Sequence, residues 1–91
     1  MARRVVVRGR VQGVGFRYAT LEVAQAAGAT GWVRNRRDGA VEAFVQGDAA
    51  TVESVVAWCR RGPPAARVTD LEVADAPADA SCTSFTLRAT A

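Results

Sequence analysis

No histidine and no lysine occur in this sequence, and each absence removes whole classes of chemistry. Without histidine there is no Ser-His-Asp triad, no Cys-His pair and no imidazole general base. Without lysine there is no Walker phosphate loop and no Schiff base; all 12 basic side chains are arginine. Two cysteines, Cys59 and Cys82, have no metal-ligand spacing, so no metal or other cofactor is expected, and both are expected as reduced thiols. Apolar runs are also short. The three valines after "MARR" are too few for a signal peptide, and nothing approaches membrane-spanning length, so a cytoplasmic location without membrane contact is expected. Any reaction must therefore run on guanidinium, amide, carboxylate, hydroxyl or backbone groups.

What is present fits a globular chain. Ninety-one residues suffice for one modest core, so residues 1–91 are expected to form a single domain. Hydrophobic residues make up 49% and charged residues 23%, which separates the chain from disordered tails. A net charge of +3 and a pI near 9.7 suit an anionic partner, but do not choose between a small phosphate and a polymer.

Local patterning gives an order of elements. "RVVVRGRV" (4–11) reads as a strand with Val5, Val7 and Val11 on one face, while Val6 implies that the other face is partly covered. Phe16, Thr20, Val23 and Ala27 recur at helical spacing, and Gly28 marks the stop. "TGWVRN" is a second strand, ended at the Asp38-Gly39 turn. "AVEAFVQG" is a third, with Val41 and one of Ala43 or Val45 opposite Glu42 and Phe44. Asp48 reads as the N-cap of a helix over 49–61, stopped by Gly62-Pro63-Pro64. "RVTDLEV" is a fourth strand, "ADAPADASCTS" a loop and "FTLR" a short closing strand. The order is β-α-β-β-α-β: a ferredoxin-like α+β sandwich, with a mostly antiparallel sheet and two helices on one face.

That topology gives "GRVQGVGFR" (9–17) a purpose. The first crossover makes strands 1 and 2 parallel, so the loop after strand 1 and the end of "GWVRN" share one rim of the sheet. On that rim a glycine-rich loop leads into a helix N-terminus, where unpaired N–H groups and the helix dipole favour an anion. Gly13 and Gly15 let successive amides turn inward, and Arg17 adds a fork for two phosphate oxygens. The stretch is no dinucleotide fingerprint, because the third glycine would fall at Tyr18. Taken alone, the pattern is more often that of a turn followed by a solvated arginine.

"GRVQGVGFR", followed in order by "GWVRN", "DGAVE" and "GPPAARV", resembles the acylphosphatase family over nearly the whole chain. The resemblance implies small, metal-free, usually monomeric enzymes that hydrolyse acyl phosphates to a carboxylate and inorganic phosphate. It implies that Arg17 is the phosphate-binding catalytic residue and that Asn35 orients the attacking water. The phosphate cradle would be the backbone amides of Val11, Gln12, Gly13, Val14 and Gly15. Ala29 and Thr30 stand where bulkier aliphatics are usual, away from these motifs.

Two rival functions share these features. RNA-recognition modules have the same element order but carry aromatics on the central strands. Strand 1 here has none and strand 3 has only Phe44, so no nucleic-acid partner is expected. A non-catalytic phosphate-binding accessory module is the other rival, and possession of both Arg17 and Asn35 argues against it. Trp32 and Trp58 are expected to be packing residues. Arg34, Arg36 and Arg37 are expected to form a solvated basic turn, and Glu42 is assigned no role.

Overall fold

The computed structural model describes all 91 residues, Met1–Ala91. The elements are β1 (Ala2–Arg10), α1 (Phe16–Ala27), β2 (Thr30–Asn35), β3 (Val41–Gln46), α2 (Ala49–Cys59), β4 (Arg67–Asp75) and β5 (Phe85–Leu87). The five strands form one sheet in the order β4-β1-β3-β2-β5. β1 and β2 are each antiparallel to β3, so they run parallel to one another, and β5 joins β2 in parallel. This is the ferredoxin-like α+β arrangement expected from the element order.

Alternation assigns the two faces of the sheet. Val5 and Val7 of β1, Val33 of β2, Val41, Ala43 and Val45 of β3, and Phe85 of β5 all point toward the helices. They meet Phe16 and Ala24 of α1 and Val52, Val55, Val56 and Cys59 of α2 in one apolar core. Each valine sealed there contributes about 1.5–3 kcal/mol by leaving water. On α1 the stripe runs Phe16, Thr20, Ala24 rather than through Val23, which is half-buried; the Thr20 hydroxyl is satisfied by donating to the Phe16 carbonyl at 2.8 Å. Burial pushes the Cys59 thiol up to about 12, so it behaves as an apolar core group.

The opposite face is partly covered, as Val6 implied. Trp32 and Phe44 stack with ring centroids 6.3 Å apart, and Ala2, Ala76 and Cys82 pack around them. The Arg34 and Arg88 guanidiniums lie over the Trp32 ring at 4.6 and 4.7 Å. Arg34 departs from the expected solvated turn: its Nε donates to buried Glu42 at 2.8 Å, and Arg4 adds a second cation at 3.6 Å. Glu42 therefore has a structural role, because a buried carboxylate requires such a partner. Arg36 likewise pairs with Asp38 at 2.8 Å. Trp58 meets Phe16 at 5.4 Å, so both tryptophans are packing residues.

Element ends shift from the local reading. β1 begins at Ala2, not Arg4, because Ala2 pairs with Gln46, and β4 runs to Asp75 because Arg3 of β1 pairs there. α2 closes at Cys59 instead of continuing to residue 61, since the Arg61 and Gly62 amides both fold back onto the Trp58 carbonyl.

Candidate active site

Register fixes the rim. Val41 pairs with Val7 of β1 on one side and with Asn35 of β2 on the other, so the two parallel strands finish at the same edge. The loop 11–15 leaves β1 there and enters α1. Gln12, Gly13, Gly15, Arg17 and Asn35 line one cavity of about 170 Å³ together with Val11, Phe16 and Tyr18. Residues 18 positions apart in sequence are thus brought to one hollow. Val14 is the one expected cradle residue that does not line it; its side chain packs on the core.

The loop backbone is held open. Gly13 and Gly15 sit at φ 73° and 79°, in the left-handed region that side chains resist. No backbone N–H from residue 11 to residue 15 donates to another protein group, and the first helical bond of α1 is Ala19 N–H to the Gly15 carbonyl at 3.0 Å. Gly15 is the N-cap and offers no side-chain acceptor, and the first turn of α1 has no acidic residue. A run of amides with no partner therefore sits at the positive end of a helix dipole.

Charge reinforces this. Arg17 is the only charged residue lining the cavity, is half-buried, and forms no ion pair. Its guanidinium rests 5.7 Å from the centre of the exposed Tyr18 ring. A cation in the first helical turn works against the dipole by about 0.3–1 kcal/mol. An anion bound between guanidinium and amides is attracted by both and offsets that repulsion. The Asn35 side chain also makes no hydrogen bond within the protein, while its carbonyl accepts from Ala91 N–H at 3.0 Å.

Wider hollows exist elsewhere, of about 490 Å³ beside Trp58 and Pro63 and about 420 Å³ over Trp32 and Phe44. Neither presents the run of unbonded amides found at the smaller cavity. Around the smaller cavity there is no carboxylate, imidazole or thiol, so the donor set suits an anion and repels a metal cation. Phe16 and Tyr18 were not anticipated as cavity residues; their place beside Arg17 in the motif is the only sequence signal for them. The Gln12 side chain was also missed. It donates to the Arg36 and Ala40 carbonyls at 2.7 and 2.9 Å.

Comparison with known proteins identifies the family of the chain. The acylphosphatase family model matches residues 3–87. An acylphosphatase of Rubrobacter xylanophilus is 51% identical over 85 residues, covering 93% of this chain and 77% of its own length. The crystal structure of an acylphosphatase from Bacillus subtilis superposes with a TM-score of 0.90 at 37% identity, covering 96% of this chain and 97% of that one. Full-length HypF, in its phosphate- and nucleotide-bound form, shares the fold over 98% of this chain but only 12% of its own, at a TM-score of 0.88 and 24% identity.

Proposed function

Because this chain belongs to the acylphosphatase family and hydrolyses acyl phosphates, we propose that the rim cavity is where that reaction occurs. Arg17 and the amides of Val11, Gln12, Gly13, Val14 and Gly15 hold the phosphoryl group, and Asn35 holds the attacking water. The whole of residues 1–91 serves as one catalytic unit. The observation that carries the assignment is the unpaired Arg17 guanidinium beside unbonded amides at an uncapped helix start. Such an arrangement is costly when empty and favourable with an anion in it.

The chemistry suits the available groups. In an acyl phosphate, the carboxylate leaves with the electron pair of the P–O bond and needs no proton. A general acid is therefore dispensable. Water forms the new O–P bond in line with the departing carboxylate, and its proton passes to a phosphate oxygen, since no carboxylate, imidazole or amine lines the cavity. Catalysis then rests on alignment and on stabilising charge at the equatorial oxygens, which the amides and guanidinium approach without reorganising. The acyl group leaves through the mouth beside Tyr18, which is 59% exposed.

We further propose a metal-independent enzyme that works as a cytoplasmic monomer, with inorganic phosphate as product and no cofactor. Every proposed site group comes from one chain, and no helix is long and apolar enough to cross a membrane. The aromatic pair that an RNA-binding sheet would display is covered, with Trp32 6% and Phe44 5% exposed, so it offers no face for base stacking. Phosphate release from benzoyl phosphate in the presence of EDTA tests the reading. Wild type is expected to turn over undiminished, and Arg17→Lys to lose on the order of a thousandfold in kcat/KM, because a point ammonium cannot make two parallel bonds. Arg17→Lys at wild-type rates, or loss of wild-type turnover in EDTA, would refute it.

A further inference from the structure

Gln12 lines the cavity, and both of its side-chain amide N–H groups are committed. One donates to the Arg36 carbonyl at 2.7 Å and the other to the Ala40 carbonyl at 2.9 Å. Those two carbonyls close the mouth of the β2–β3 turn: Ala40 O also accepts from Arg36 N–H at 2.8 Å, and Arg36 O from Gly39 N–H at 3.1 Å. Arg36 directly follows Asn35. The loop carrying the free amides is thus tied to the turn that follows Asn35 by a side chain whose own backbone lies in that loop.

The one other side-chain tie to this turn is the longer, exposed Arg8–Asp38 contact at 3.5 Å, which comes from β1 and not from the loop. The amides of residues 11–15 donate to nothing in the protein, and the Asn35 side chain is unbonded. β1 and β2 are not sheet neighbours, since β3 lies between them. We infer that Gln12 is a positioning residue for the hydrolysis, setting the distance between the amide cradle and Asn35 through its side chain. The inference rests on the proposed roles of the cradle and Asn35. Its physical basis is that alignment errors near 1 Å between a nucleophile and its target cost up to about a hundredfold, while binding of either partner alone is little changed.

A kinetic double-mutant cycle on the full chain tests this, with benzoyl phosphate as substrate and inorganic phosphate as competitive inhibitor. Gln12→Ala is expected to lower kcat on the order of tenfold or more, with the phosphate inhibition constant moving less than about threefold. Gln12→Met keeps the side-chain length without the donors, so it removes the two bonds with little change in packing, and the same loss is expected. In the Asn35→Ala background, Gln12→Ala is expected to cost less than about twofold, since no held water remains to align. Equal losses in both backgrounds, a wild-type kcat for Gln12→Met, or a fall in phosphate affinity matching the fall in kcat would each overturn the assignment to Gln12. Asn35→Ala at wild-type kcat is a different failure: it would remove the proposed role of Asn35, and this inference with it.

Discussion

The two helices begin in opposite ways. α2 starts behind Asp48, whose backbone is extended (φ −68°, ψ 165°) and whose carboxylate accepts the Thr51 N–H at 2.8 Å. α1 starts behind Gly15, left-handed at φ 79°, with no side chain to accept anything and with the loop amides before it unbonded. The α2 start is finished by the protein itself, and the α1 start is left for something else to finish. Forgoing a capping side chain costs about 1 kcal/mol at most, and placing Arg17 in the first turn adds a fraction more. A bound anion with several charge-assisted bonds, each contributing about 1.5–3 kcal/mol, outweighs both. The difference between the termini is therefore the physical mark of the proposed site, and it is read from bonds not made.

Making the two starts alike should break the enzyme. Gly15→Asp gives α1 the residue type that closes α2, at a position where an added Cβ meets nothing within 4 Å. Aspartate also tolerates left-handed backbone better than most side chains. Its carboxylate would stand where the phosphoryl group belongs, and a loss on the order of a hundredfold or more in kcat/KM is expected. Inorganic phosphate should no longer raise the Tm of this variant, whereas it should raise that of wild type. A Gly15→Asp enzyme still protected by phosphate would show that the anion binds elsewhere.

Opening the other start should have a much smaller effect and none on the reaction. Asp48→Ala is expected to lower Tm on the order of 5 °C at neutral pH with kcat and KM unchanged. The Thr51 N–H bond holds the Asp48 carboxyl below its ordinary value of 3.8. A carboxyl lowered on folding stabilises above its unfolded pKa, and that contribution disappears as pH falls through the folded pKa. The Tm gap between wild type and Asp48→Ala should therefore be full above about pH 5 and close in acid. A gap that widened on acidification would contradict the capping role.

Much of this was legible in the sequence because its signals are local. Asp48 as a cap, Asp38-Gly39 as a turn and alternating valines as strand faces each act within a few residues, and together they gave the element order. The motif "GRVQGVGFR" located the loop, and topology brought Asn35 to it. Partners supplied from a distance were not legible. β1 extends to Ala2 only because Gln46 pairs with it. Arg34 looked solvated until the sheet brought Glu42 beside it. Gln12 was assigned by its backbone alone, since nothing in its neighbours foretells two carbonyls 24 and 28 residues away.

Titration with inorganic phosphate, followed by backbone amide NMR shifts, tests the contrast between the two helix starts most directly. The account predicts saturable shifts at Val11, Gln12, Gly13, Val14, Gly15 and Arg17, with no comparable change at Ala49, Ala50 or Thr51. Equal shifts at both helix starts, or saturation at the α2 start alone, would contradict it.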